Sequence, residues 1–377
     1  MRLPRNALQA EGPVRFCTHS GVVRFWRFVM LMFNWKDIPN RGRGLTFDDV
    51  LIVPSKSDVR SRRDPVLTSR LTRKIEISAP LISANMDTVT ESEMAIAMAK
   101  QGAFGILHRF ISIEDQAHQV SLVKASGAEH VGASIGVSDD FKPRAEALVK
   151  AGASVLTIDI AHGHSVAMLE TMAWLKDRFP EVQIIAGNIA TPEAAEELID
   201  AGADAIKVGI GPGSMCTTRI ITGCGVPQLT AIALCAEVAE AQGVPVIADG
   251  GIRTSGDIVK AFAAGASTVM LGSMLAGTME TPGEIKGGRK QYRGMASKAA
   301  QVSWRGGVPA GMAAEGESTF VNIKGHVRDV VLELTGGIRS GMSYINATSI
   351  AEIRQKARFI EMSASGVYES RAHGLNS

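Results

Sequence analysis

From residue 79 onward, short apolar runs alternate with longer stretches whose apolar residues recur at helical spacing. The runs at 80–84, 103–107, 130–135, 154–158, 183–187, 205–208, 245–248 and 267–271 read as strands, bounded by glycine or polar residues. Segments 145–150, 165–178, 192–201, 229–241 and 256–264 read as helices between them. Strict alternation of strand and helix predicts a parallel α/β sheet. Eight such units in one chain predict closure into a (β/α)8 TIM barrel. A weak repeat fits this plan. Ala151-Gly152-Ala153, Ala201-Gly202-Ala203 and Ala264-Gly265-Ala266 each precede a strand, where glycine ends a helix in the left-handed conformation.

Seven predicted strands end in polar or glycine-rich runs: Asn85-Met86-Asp87, His108-Arg109, Asp159 to His164, Gly187-Asn188, Gly209 to Arg219, Asp249-Gly250-Gly251 and Gly272-Ser273. A barrel gathers all of these at one rim, where barrel active sites lie. The glycines after strands seven and eight match the usual barrel phosphate site, so a phosphorylated ligand is expected. A long excursion follows strand eight. Gly287-Gly288 reads as a hairpin turn, and 296–318 is rich in Gly, Ala and Ser. A loop of this length reads as a mobile flap, and it carries Glu315, a candidate acid or base.

Composition narrows the function. The chain has 377 residues, 45% of them hydrophobic, and a net charge of +2. That balance points to neither a nucleic-acid nor a membrane partner. Cys17, Cys216, Cys224 and Cys235 form no C-x-x-C pair, which fits a reducing cytoplasm and argues against zinc. His162 and His164 lack a third ligand nearby in sequence. Residues 1–35 read as a poorly ordered extension, apolar at 22–33 but too short to span a bilayer. Residues 36–377 read as a single barrel domain.

The sharpest chemical feature is Gly209-Ile210-Gly211-Pro212-Gly213-Ser214-Met215-Cys216-Thr217-Thr218-Arg219. Its glycines let backbone approach a ligand. Cys216 is placed like a nucleophile, with Arg219 a candidate for favouring its thiolate.

Together, Ser83 to Val89, Ile158 to Ser165, Gly187-Asn188, Gly209 to Arg219, Ala248 to Gly251, Met270 to Ser273 and Tyr292 to Met295 resemble the inosine monophosphate dehydrogenase and GMP reductase family. The dehydrogenases usually carry a regulatory CBS pair between the second and third barrel units, and 111–129 leaves no room for one. They also carry an Arg-Tyr pair in the flap. Here Ser303-Trp304-Arg305-Gly306-Gly307 stands instead, which looks like the reductase flap. Met312 and Ala314 depart from the reductase pattern of arginine and serine, and Gly366 to Ser370 looks more like the dehydrogenases.

The resemblance implies NADPH-dependent reductive deamination of GMP to IMP and ammonia. The alternative is NAD-dependent oxidation of IMP to XMP. It implies Cys216, Thr218 and Glu315 as catalytic residues. Asn85, Met86, Ser214, Asp249, Gly251, Gly272, Ser273, Tyr292, Gly294 and Met295 would bind the nucleotide. Asp159, Ile160, Ala161 and Asn188 would border the nicotinamide. Backbone carbonyls of Gly211, Gly213 and Cys216 would hold a monovalent cation, K+. A cytoplasmic homotetramer is expected. The rivals outside this chemistry are a nucleotide-binding protein without turnover and a flavin-dependent barrel.

Overall fold

The structure is a computed structural model that describes residues 31–138 and 140–370. Eight parallel strands close into a barrel: β1 Leu81–Ser83, β2 Phe104–Leu107, β3 Gly132–Ile135, β4 Val155–Asp159, β5 Gln183–Ile189, β6 Ala205–Val208, β7 Val246–Asp249 and β8 Thr268–Leu271. Each pairs with its neighbours in sequence, and β8 returns to β1 through Met270 opposite Ile82. Nearly every strand position is buried, as expected where helices cover one face and barrel side chains fill the other. The strands therefore show continuous apolar runs rather than alternation.

Helices α1 Ser92–Lys100, α2 Ile113–Ala125, α3 Phe141–Ala151, α4 Val166–Arg178 and α5 Pro192–Asp200 follow the first five strands. The short α6 Thr218–Thr222 and the longer α7 Gln228–Ala241 follow β6, and α8 Ser255–Ala263 follows β7. Ser165 and Thr191 cap α4 and α5 through their side chains. Gly152, Gly202 and Gly265 have φ of +111°, +97° and +117°, the left-handed turn their repeat predicted.

Two sequence expectations shift. The extension was drawn to residue 35, yet Phe33 exchanges backbone hydrogen bonds with Phe359, and both Phe33 and Trp35 are buried. Residues 1–30, with Cys17, lie outside the described residues. The excursion after β8 also has more order than its composition implied. Gly287 and Gly288 turn the chain with φ of +57° and +73°. The strand after that turn, β9 Arg289–Arg293, pairs along its length with β10 Ser318–Asn322. Between them lies α9 Lys298–Arg305, capped by Ser297 and ended by Gly306 at φ +79°. The long helix α10 Val327–Tyr344 packs against α8 and α1.

Candidate active site

The β6–α6 loop turns on residues that only glycine tolerates. Gly209 sits at φ +152°, and a Cβ there would lie 1.9 Å from the Asp249 carbonyl oxygen. Gly211, at φ +84°, would press on Arg219. Arg219 donates to the carbonyls of Ile210 at 3.3 Å and Val226 at 2.6 Å. Arg219 thus shapes the loop. The thiol's hydrogen-bond partner is the hydroxyl of Thr218.

Cys216 Sγ donates to Thr218 Oγ1 at 3.2 Å, and Thr218 Oγ1 donates to Glu315 Oε2 at 2.8 Å. The flap delivers Glu315 to this place through backbone contacts. Gly316 forms an antiparallel bridge with Cys216, and Glu317 N–H donates to the Met215 carbonyl at 2.9 Å. Gly294 N–H in turn donates to Glu317 at 2.9 Å. Thr218 and Glu315, 97 positions apart in sequence, are thereby brought into one loop pair. The arrangement can pass a proton from thiol through hydroxyl to carboxylate. Cys224 is exposed, and Cys235 is buried, its thiol pushed up by that burial and by Glu193.

Beneath the cysteine lies a charged cluster. Lys207 points inward from the middle of β6 and is only 1% exposed. Its Nζ donates to Asp159 Oδ1 at 2.8 Å, to Asp249 Oδ2 at 2.7 Å and to Asn188 Oδ1. Asn188 Nδ2 also donates to Asp249 Oδ2 at 2.9 Å. Burial alone would lower the lysine pKa, but the two carboxylates outweigh it and raise it above the ordinary value. Burial would likewise raise Asp159, and Lys207 with Arg109 bring it below the usual carboxylate value. Asp159 is therefore an ion-pair partner of Lys207. Lys207 was missed in the sequence, although a lysine inside an apolar strand is a signal, because a buried charge demands partners.

A cavity of about 520 Å³ opens over this cluster. It is lined by every residue named above for catalysis, nucleotide, nicotinamide or cation, from Asn85 and Met86 to Gly294, Met295 and Glu315. At one end stand Gly251, Gly272, Ser273 and Tyr292. A Cβ on Gly272 would meet Tyr292 OH at 2.8 Å, so glycine is needed for that tyrosine to reach Ser214 Oγ, 3.3 Å away. Burial raises the Tyr292 pKa, which keeps the phenol a neutral donor. The α8 N-terminus is closed by its own Thr254–Asp257 capping box, leaving the Gly250-Gly251 turn ahead of it at the cavity.

At the other end the flap adds residues that the sequence reading did not assign. Gln301, Trp304, Arg305 and Met312 line the cavity together with Arg109 and Phe110. Trp304 packs edge-on to Phe110, with centroids 5.3 Å apart, and Arg305 lies 3.8 Å over its face. Three buried polar atoms here have no protein partner: Arg109 Nε, Gln301 Oε1 and Trp304 Nε1. Orphaned donors and an acceptor beside aromatic rings suit a flat, polar-edged ring such as nicotinamide. Loop carbonyls suit a hard monovalent cation. Among the described residues no cluster of three or more His, Cys, Asp or Glu could hold a metal ion, and His164 instead faces Glu197 at 3.0 Å.

Comparison with known proteins places the chain in a family. Residues 44–373 match the model of the IMP dehydrogenase / GMP reductase domain. An inosine-5'-monophosphate dehydrogenase of Cryptosporidium parvum is 42% identical over 389 positions, covering 89% of this chain and 96% of that protein. A GMP reductase of Leishmania donovani is 36% identical over 484 positions, covering 90% and 98%. A crystal structure of Trypanosoma brucei GMP reductase with guanosine 5'-monophosphate superposes with a TM-score of 0.83 at 37% identity, covering 88% of this chain and 98% of that one. The shorter alignment is to a dehydrogenase and the longer to a reductase, so chain length does not sort the two activities. The chain belongs to the IMP dehydrogenase / GMP reductase family of oxidoreductases, enzymes of purine-nucleotide metabolism that use nicotinamide cofactors.

Proposed function

We propose that the chain is a GMP reductase, converting GMP, NADPH and two protons into IMP, NADP+ and ammonium. One observation carries the choice over the dehydrogenase. The flap between Met295 and Glu315 brings Gln301, Trp304, Arg305 and Met312 to the cavity, and its sequence has no Arg-Tyr pair. The reductive reaction needs no water activator, only an acid for the departing amine.

In this reading Cys216 passes its proton through Thr218 to Glu315 and bonds to C2 of the purine. The C2–N bond then breaks, and Glu315 returns a proton to the leaving ammonia. Asp249 binds the ribose hydroxyls, and Gly251, Gly272, Ser273 and Tyr292 bind the phosphate. Asn85, Met86, Gly294 and Met295 enclose the base, with Ser214 beside Tyr292. Asp159, Ile160, Ala161 and Asn188 border the nicotinamide. Bound NADPH supplies the hydride that C2 accepts. The C–S bond then breaks and Cys216 is free again. Splitting the displacement in two is what a covalent nucleophile contributes. A K+ ion on the carbonyls of Gly211, Gly213 and Cys216 would brace the loop. The same proposal includes a single barrel domain over 36–377, assembled as a cytoplasmic homotetramer.

Met312 and Ala314 favour a second reading, NAD-dependent oxidation of IMP to XMP, in which Arg305 would be the available water activator. Paired absorbance assays with K+ separate the two. Loss of NADPH absorbance with GMP, and no NADH formed from IMP and NAD, is the expected result. The reverse pattern makes the enzyme a dehydrogenase.

A further inference from the structure

The flap helix presents an acceptor and a donor that nothing in the protein uses. Gln301 is 5% exposed. Its Nε2 donates to the Ala296 carbonyl at 3.0 Å. Only nitrogen can donate there, so the amide cannot be flipped, and Oε1 is directed away from Ala296. That oxygen is buried and unpartnered. Trp304, three residues on, shares the same helix face, and its Nε1–H is likewise buried and unpartnered. Just past the end of β2, on the lining of the same cavity, Arg109 Nε is a third orphan. The Arg109 guanidinium lies 4.8 Å over Phe110, whose ring meets Trp304. Leaving a buried polar group unpaired costs about 1–3 kcal/mol. Three at one wall of one cavity call for a ligand with matching groups.

We propose that Gln301, Trp304 and Arg109 form a clamp for the carboxamide of the nicotinamide ring, with the flap supplying two of its three contacts. This rests on the functional reading above only in requiring a nicotinamide cofactor. A primary carboxamide offers N–H donors and a carbonyl acceptor. Gln301 Oε1 accepts from the amide nitrogen, and Trp304 Nε1 and Arg109 Nε donate to the carbonyl. The wall is assigned to the cofactor because Arg109 lines the same cavity as Asp159 and Asn188 of the nicotinamide border, and its charge acts favourably on Asp159. The clamp would make flap closure and cofactor seating mutually dependent.

The test is a chemical double-mutant cycle read by calorimetry on the whole chain saturated with IMP, which accepts no hydride from NADPH, so that binding is read without turnover. Gln301→Met keeps side-chain volume and removes the acceptor. It should weaken NADPH binding about tenfold. It should leave binding of the reduced 3-acetylpyridine analogue, which has no amide N–H, within about twofold of the unmutated protein. Trp304→Phe keeps a ring and should weaken both cofactors alike, since both have a carbonyl. GMP affinity, measured without cofactor, should not move in either variant. Equal losses for both cofactors with Gln301→Met, or a loss of GMP affinity, overturns the clamp while leaving the enzymatic reading intact. Failure of the unmutated protein to bind any nicotinamide cofactor, with GMP or IMP present, overturns both.

Discussion

Cys216 owes its setting to neighbours at two very different sequence separations. Thr218 is fixed by the local turn, whereas Glu315 arrives 97 residues later. If this chain carries the proton, Thr218→Val should lower kcat by roughly 10²–10⁴-fold, the usual range for acid–base transfer, with nucleotide Kd unchanged. Unaltered turnover in that variant would remove Thr218 from the proton path. Lys207 makes the strongest structural case at this scale. Lys207→Met leaves the half-buried carboxylates of Asp159 and Asp249 without their shared cation. It should cost about 3–5 kcal/mol in urea denaturation, the usual penalty for deleting one partner of a buried pair. The pH sign follows from both partners. Asp159 has a folded pKa below its ordinary 3.8, so its contribution is complete above that value and fades as pH falls through the lower folded value. Lys207 has a folded pKa above its ordinary 10.5, so its contribution is complete below that value and fades only as pH rises through the higher one. Melting temperature should therefore hold across the neutral range, and the gap between the unmutated protein and the Lys207→Met variant should narrow as pH rises above 10.5.

At the scale of elements, the flap is a helix held between two short strands. Ser297 Oγ accepts from Ala300 N–H at 3.2 Å and starts α9. Ser297→Ala removes this cap, worth about 1 kcal/mol to the helix. Because α9 carries cavity residues and little of the barrel core, the expected effect is a raised KM for cofactor with a nearly constant melting temperature. A matching fall in melting temperature would show the helix to be part of the main cooperative unit. The helix was legible in principle from Ser297 and Gly306, its two caps. It was masked by the Gly, Ala and Ser content of 296–318, which reads as loop when averaged over the window. By contrast, the strand at 183–187 was recognised but ended too early. Its register shifts between Gly187 and Ile189, and that irregularity brings Asn188 to Lys207 and Asp249. A periodicity argument stops where regular pairing stops.

For the whole molecule, the barrel and flap differ in how they are held. Barrel strands pair on both sides and are buried at nearly every position. Around Glu315, backbone bonds such as Thr217 N–H to Glu315 at 3.4 Å and Glu317 N–H to Met215 join the flap to the cysteine loop, and much of α9 is exposed. Low local burial goes with low local stability. Amides of 294–317 are expected to exchange with deuterium faster than those of β4 to β6, and to slow when GMP binds. Uniform exchange, unchanged by GMP, would show that closure is not coupled to the substrate. Among the described residues, no helix is long and apolar enough to cross a membrane.

Much was determined by the sequence alone, because it depends on short-range order. Strand and helix alternate with their own periods, glycines mark helix ends, and polar strand ends must share a rim once the barrel closes. The motifs around Asn85, Cys216, Asp249 and Gly272 announced the family for the same reason: each is a contiguous run. What only the tertiary structure decided involves partners distant in the chain. Lys207 between Asp159 and Asp249, Glu315 on Thr218, and the orphan atoms of Arg109, Gln301 and Trp304 at one wall are facts of closure. Sequence spacing carries no information about such contacts, since strands, loops and flap fix them by packing in three dimensions.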